Sequence, residues 1–392
     1  MFAIEFATDS IEWGFSVRLG ANSRCNSFRR NGKLNYQPEN IVMRSVLSKQ
    51  VGSWLLAIGG LLAGAGMPDA VQAQDAATPL AVSPLPLPAG LPPINIANPK
   101  ALPPLPGIAA TGSCVAFHPN GQQLAAGFFN GTLRVWNLVD GKATDAEAHK
   151  GGVTVVRFNP AGDQISTAGM DNAIRVWANP PAMATKGLSG STRWVRDLAY
   201  TPDGIRLVSV GDDRNIRVWN IATGQMLYAL PGHTDWILAL SVRADGHLAA
   251  TAGYDRTIRL WDLDKGVLIK FWPANEQLVT DLAWTADGMG LVSVGMDRVA
   301  RLWNPVDGKQ IREFVGHVDE LHCVAIHPGG AFLATAGADR NILIWNITTG
   351  EKLKSLDGPT SWVHGLTWSA DGGKLASIGA DQVARIWEFP AN

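Results

Sequence analysis

The sequence predicts an all-β fold, and three observations carry that reading. Fifteen Trp and 42 Gly among 392 residues suggest aromatic-anchored strands separated by tight turns. Seven of the Trp, at 136, 177, 219, 261, 303, 345 and 387, each close a short apolar segment (LRVW, IRVW, IRVW, IRLW, ARLW, LIW, ARIW). Their spacing is 41 residues once and 42 thereafter. A fixed period near 42, with about four short strand patterns per unit, is the signature of a β-propeller of four-stranded antiparallel blades, one blade per Trp.

Before the repeat, three segments are expected in order. Residues 54–66, WLLAIGGLLAGAG, form an apolar run preceded by Arg44 and Lys49, and Val71 and Ala73 after it fit a small-residue cleavage site. This reads as a secretory signal peptide over 43–73, since the run is shorter than the ~20 apolar residues of a spanning helix. Met43 is then the expected start, with 1–42 an over-extended reading frame or a disordered leader. The other reading retains the whole N-terminus, with the run as a buried or membrane-associated helix. From 74 to 99 the chain is Ala- and Pro-rich, and Asp75 is its one charge. Such a stretch is expected to bury little surface and to serve as an extended linker.

The propeller is expected over 100–392. In the fourth unit WILALSV is the inner strand, HLAATAG the second, TIRLW the third and GVLIKFW the outer one. After Trp387 too few residues remain to supply the last outer strand. The outer strands carry apolar residues six and three positions before the start of the next unit, and counting back in the same way from Ile108 lands on Leu102 and Leu105. Lys100 to Leu105 is therefore expected to pair with the final blade and close the ring, its prolines being tolerable on an outermost strand.

Composition excludes several function classes. Charged residues are 17% of the chain, with 33 Lys+Arg against 34 Asp+Glu, so no net field draws in nucleic acid. Three scattered cysteines make neither a disulfide framework nor a four-thiolate zinc site. The repeats carry no long insertion on which a catalytic constellation could be built, and no cofactor motif is present. The segment Asp262 to Gly266 faintly suggests a calcium loop, but NIATG, NPVDG and NITTG stand in the same place elsewhere, so it is a hairpin turn.

The chain resembles the WD-repeat family. The matching residues are the Trp followed by Asn or Asp in five units, the Gly232-His233 and Gly316-His317 pairs, and the Asp six residues before the Trp. The resemblance implies a buried hydrogen-bonded network of His, Ser or Thr, Asp and Trp in each blade. By position the full sets are His149, Thr167, Asp171, Trp177; His233, Thr251, Asp255, Trp261; and His317, Thr335, Asp339, Trp345. Ser191, Asn275 and Pro359 replace the His in other units. The first unit departs furthest, with Ile108, Ala126 and Asn130, and is expected to be the least rigid blade. A His near a Thr and an Asp resembles a hydrolase triad, yet an active site does not recur once per blade, so these residues are assigned to structure.

In WD-repeat proteins the loop before each inner strand and the turn before each third strand open on one face, where partners usually bind. Here the first set includes Trp194, Trp236, Leu278 and Trp362, with Arg193 and Asp235 beside them; the second includes Phe129, Met170, Tyr254 and Met296. Trp, Met and Arg are what interfaces concentrate, although rings folded down as core lids would use the same residues. On the inner strands His322 and His364 occupy equivalent places in adjacent blades, but no third metal ligand is fixed by the pattern, and packed or solvated histidines are the default. Arg134, Arg175, Arg217, Arg259, Arg301 and Arg385, each two residues before a blade Trp, are assigned to ion pairs within or between blades. The functional expectation is an exported, non-enzymatic scaffold without cofactor or metal that binds a protein or peptide partner on the Trp-bearing face. A channel-based small-ligand or metal-dependent enzyme and a cytoplasmic scaffold are the rivals.

Overall fold

The computed structural model describes residues 80, 82–105, 107–181 and 183–391, which contain 28 strands and no helix. The expected leader, 1–42, and signal segment, 43–73, lie outside the described residues. The strands form seven four-stranded antiparallel sheets. Six are built from consecutive strands, and each is one blade: 112–147, 153–188, 195–231, 237–273, 279–315 and 321–356. Blade 4 shows the unit: Ile237–Val242, Leu248–Gly253, Thr257–Asp262 and Val267–Pro273, from channel to rim. The second strands are almost wholly buried, and the outer ones alternate between buried and exposed residues, as a strand covered on both faces and an edge strand should.

The seventh sheet takes its outer strand from the N-terminal side of the repeat. Lys100–Ala101 pairs antiparallel with Arg385–Glu388, with Ala101 opposite Trp387. Leu102 N–H donates to Ile386 O at 2.9 Å and Leu105 N–H to Ala384 O at 3.1 Å. Pro103 and Pro104 fall between those two donors, so their missing N–H groups cost the ladder nothing. Leu102 and Leu105 pack on the apolar cluster shared by blades 7 and 1. The ring is closed as the count from Ile108 predicts.

The described part of the Pro-rich stretch is mostly exposed, but three of its aliphatic residues dock between blades. Residues 82–99 run without helix, and turn at 89–90 and 96–98; Val82, Ile94 and Ile96 are buried, with Val82 in the core between blades 4 and 5 and the two Ile in the core between blades 6 and 7. Leu85 N–H donates to Asp287 O at 2.8 Å, Arg243 donates to Ser83 O, and Asn95 N–H donates to Pro390 O at 2.8 Å. The physical reason is that a nearly uncharged chain with aliphatic residues between its prolines loses little entropy on docking and has apolar side chains to seat between blades.

Blade 1 departs from the others for a steric reason. The last residue of the second strand is Gly in blades 2 to 7, and a Cβ there would meet the preceding loop's carbonyl in blades 3 to 7, at 2.1 Å from Trp194 O in the case of Gly211 and 1.9 Å from Trp362 O in the case of Gly379. Blade 1 carries Phe128 there, opposite Gly112 on the inner strand, and Phe128 packs against Trp136 with ring centroids 6.4 Å apart.

A tether and a docked strap differ in what truncation does. Replacing Ile94 and Ile96 together by Ala should lower the free energy of unfolding by about 2–4 kcal/mol, the range for emptying buried aliphatic sites at the edge of a core. Urea denaturation followed by Trp fluorescence checks this, and an unchanged midpoint would show that the strap contributes nothing.

Candidate functional site

The upper ends of blades 2, 4, 5 and 6 are built from a hydrogen-bonded chain with one direction. In blade 4 the Trp261 indole N–H donates to Thr251 Oγ1 at 2.8 Å, Thr251 Oγ1 meets His233 Nε2 at 2.7 Å, and His233 Nδ1 meets Asp255 at 2.8 Å. With the indole as donor, the hydroxyl gives its proton to Nε2 and the imidazole gives its Nδ1–H to the carboxylate. The chain recurs through His149, Thr167, Asp171 and Trp177, and through His317, Thr335, Asp339 and Trp345. In blade 5 an amide does the work of the imidazole: Trp303 donates to Ser293 at 2.8 Å, Ser293 to Asn275 Oδ1 at 2.7 Å, and Asn275 Nδ2 to Asp297 at 3.1 Å. Blade 3 keeps the Trp219 to Ser209 bond at 2.9 Å without a histidine. Burial pushes Asp171 up, but hydrogen bonds from His149, Arg175 and the Lys150 amide outweigh it and hold the carboxyl at about 2.

These carboxylates also hold the loops that carry the candidate residues. Asp213, Asp255, Asp297 and Asp381 accept the backbone N–H of Thr192, Thr234, Glu276 and Thr360, in each case two residues before Trp194, Trp236, Leu278 or Trp362. The loop residue's carbonyl then accepts the first N–H of the turn before the third strand: Tyr254 to Trp236 at 2.9 Å, Met296 to Leu278 at 3.3 Å, Met170 to Gly152 at 2.9 Å. Six of the arginines two residues before a blade Trp complete the frame. Arg175, Arg217, Arg259, Arg301 and Arg385 pair with the Asp four residues earlier, and Arg134 pairs with Asp145.

The candidate residues gather into two groups around the channel mouth. Over blades 3 and 4 the Arg196 guanidinium lies between two indoles, 4.8 Å from the Trp194 ring and 5.7 Å from the Trp236 ring, and Trp236 meets Tyr254 edge-on at 4.9 Å. Asp212 clamps Arg196 at 2.6 and 2.9 Å. Stacking and a bidentate carboxylate together fix this side chain. Over blades 6, 7 and 1, Trp362 meets His322 edge-on at 5.9 Å, and Phe129 meets His364 at 6.0 Å. Among the described ring contacts none joins the two groups. Trp194 is 37% exposed, Tyr254 39%, Phe129 42% and Trp362 46%, whereas Trp236, Met170, Leu278 and Met296 are half-buried and Arg193 and Asp235 stand in solvent. The rings are therefore partly lids and partly open surface.

Between the groups lies a cavity of about 210 Å³ lined by Ser113, Thr154, Arg196, Leu238, Thr280, His322 and His364, with Phe129 and Met170 at its rim. Those seven are the bulged residues of the inner strands, one per blade. Four of them tie blade to blade: Ser113, Thr154, Thr280 and His322 each reach the carbonyl of the first inner-strand residue of the next blade, at 2.5, 2.5, 2.7 and 3.1 Å. Of this ring the sequence reading named only His322 and His364; Arg196 and the other four escaped it. The strand alternation of RWVR, which puts Arg196 on the same side as Trp194, was the available signal, while the bulge had none.

A family model described as WD domain, G-beta repeat matches residues 111–137, 143–178, 183–220, 224–262, 266–304, 308–346 and 350–388. The chain belongs to the WD-repeat family. A comparison with curated proteins gave no match. WD-repeat propellers are in general protein-interaction scaffolds without catalytic activity. The network histidines have both ring nitrogens engaged, and burial pushes the Cys114 thiol up to about 11 and Cys323 well above its ordinary value. Burial, then the neighbouring His322, lowers His364 to about 4, so the two imidazoles stack as neutral rings 5.2 Å apart at 13°. Among the described residues no three His, Cys, Asp or Glu side chains are placed to hold a metal ion.

Deeper in the channel of this WD-repeat ring, Asp197 accepts from Leu198 and from Leu240 of the next blade, and Asp281 from Leu282 and from Val324 of the next blade. Burial, with the Asp197 carboxylate adding to it, pushes Asp281 up to about 7 against these donors. A carboxyl raised from 3.8 in this way makes its full contribution to stability below about pH 4 and loses it as pH rises through 7. Histidines held below their ordinary value act in the opposite sense, so the readout is a difference: the stability of the wild type relative to Asp281→Asn should fall between pH 5 and pH 8. A second outcome concerns the hydroxyl at the centre of blade 4. Thr251→Val leaves the Trp261 N–H and His233 Nε2 buried without partners and should cost about 2–4 kcal/mol, read by equilibrium unfolding.

Proposed function

We propose that this WD-repeat propeller is an exported docking platform that binds a protein or peptide partner on its upper face, with Trp194, Trp236 and Trp362 as anchors. The observation that carries the reading is the pair of half-exposed indoles, Trp194 and Trp362, held beside the channel mouth on loops whose backbone is tied to buried carboxylates. An aromatic side chain fixed in this way loses little entropy on binding and removes a large apolar area from water. Arg196, already clamped and stacked, adds a positive edge that needs no reorganisation. Export rests on the basic residues, apolar run and small-residue site of segment 43–73. The Pro-rich strap would then be the first part of the mature chain.

Replacing Trp194, Trp236 and Trp362 together by Ala should weaken partner binding at least about a hundredfold, since interfacial Trp truncations commonly cost about 2 kcal/mol or more each. The measurement is surface plasmon resonance against the partner captured by the native chain, with the thermal unfolding transition recorded to show that the ring is intact. An intact ring with unchanged affinity would refute the assignment. N-terminal sequencing of the mature protein is expected to start near Gln74, and a start upstream of the apolar run would refute export.

A further inference from the structure

The arginines of this protein divide sharply. Of the 16 in the described residues, ten have a carboxylate partner within 4.0 Å: Arg134, Arg157, Arg175, Arg196, Arg206, Arg217, Arg243, Arg259, Arg301 and Arg385. Five of the remaining six, Arg193, Arg214, Arg256, Arg298 and Arg340, are exposed on the upper face, where the Trp residues stand. The last four sit at the turn before the third strand with φ between 58° and 69°, the left-handed region. Blade 1 has Gly131 at that place and blade 2 has Asn172, residues that adopt it at lower cost. These cations at a position that disfavours them have no acidic partner: Arg214 and Arg256 reach only the loop carbonyls of Thr234 and Glu276, at 3.4 and 3.3 Å, which leaves their charge unneutralised.

The free charges of this face are also unevenly spread. Over blades 2 to 4 and the loops into blades 2 and 5, Lys150, Arg193, Arg214 and Arg256 face Glu147, Asp235 and Glu276, a net charge of +1. Over the rest of the ring Arg298 and Arg340 face Asp319, Glu320 and Asp357, a net charge of −1. The basic sector is the one that holds the Trp194, Arg196, Trp236 and Tyr254 stack.

We infer that this sector receives an extended acidic segment of a partner protein, whose carboxylates meet Arg193, Arg214 and Arg256 while an aromatic or aliphatic side chain between them rests on Trp194 and Tyr254. The assignment rests on the docking role proposed above and adds the chemistry of the partner. Arginine forks match carboxylates in two-point geometry, and the exposed indole and phenol supply the apolar contact that a purely ionic encounter lacks.

The test uses the full mature chain and a fluorescently labelled synthetic peptide of glutamates around a central phenylalanine, read by anisotropy. The expected result is saturable binding that weakens as salt rises. Arg193→Glu with Arg214→Glu should reduce affinity at least about tenfold, whereas Arg298→Glu with Arg340→Glu should change it by less than about threefold. Alanine for phenylalanine in the peptide should weaken binding, and lysine for glutamate should abolish it. The inference is overturned if the lysine peptide binds equally well or if both double variants behave alike. It is also overturned if sedimentation shows a dimer that Arg214→Glu dissolves, which makes a second copy the occupant, or if vesicles of anionic phospholipid bind where the peptide does not. Loss of the captured partner in the triple Trp variant, with indifference to Arg193→Glu and Arg214→Glu, would remove this inference alone. Retention of the partner in the triple Trp variant would remove the docking reading beneath it.

Discussion

The structure depends on a hydroxyl buried at the centre of the upper end of six blades, blade 1 having Ala126 in its place. In five blades that Ser or Thr oxygen accepts the Trp indole N–H of the third strand. Where a histidine or Asn275 is present it passes its own proton on to that residue, and so to the carboxylate that holds the loop above. In a water-excluded site each member of such a chain would be costly to leave unpaired, so the whole set forms together or is lost together. The core thus determines where the surface loops stand. The Trp236 loop hangs from Asp255, which ends such a chain, while the Trp194 and Trp362 loops hang from Asp213 and Asp381, which Arg217 and Arg385 hold instead, and the upper face inherits the rigidity of the blade beneath it.

The blades are joined by a second, different set of contacts. Bulged inner-strand residues reach the next blade's carbonyls, and Asp197 and Asp281 reach the next blade's amides. A bulge turns one side chain per blade into the channel, where it pairs with main-chain groups that the ladder leaves free. Because the acceptor is backbone, Ser, Thr and His serve equally, and the position tolerates variety. Three of the seven, Arg196, Leu238 and His364, make no such bond, and these give the mouth its chemical individuality. Closure by Lys100 to Leu105 and the strap over residues 82–99 hold the ends of the ring together, which matters in a molecule whose stability is shared between neighbours.

Regularity inside and irregularity outside are the pattern from which function is read. The Asp–Arg pairs recur almost unchanged from blade to blade and neutralise themselves. The upper rim does not repeat: it has indoles over blades 3, 4 and 7, a phenyl ring over blade 1 and aliphatic or thioether groups over blades 2 and 5, and more of its cations without acidic partners lie over one half than over the other. Variation imposed on a uniform scaffold concentrates the chemistry of recognition at one sector, and a partner needs to complement that sector only.

The sequence by itself determined the number of blades, their strands, the position of the closing strand and the members of the buried network. All of these follow from local periodicity: the 42-residue spacing, the alternation of apolar residues and the fixed interval between Asp and Trp. It also placed Trp194, Trp236, Trp362 and Tyr254 on one face, because loop position is a matter of phase within the repeat. What it did not disclose depends on contacts between residues of different blades. Asn275 standing in for histidine, the Arg196 guanidinium between two indoles, the stacking of His322 on His364 and the seating of Ile94 and Ile96 between blades 6 and 7 were decided by the closed ring. Only closure brings such residues within a few ångströms, and no local rule of spacing encodes which side chains will then meet.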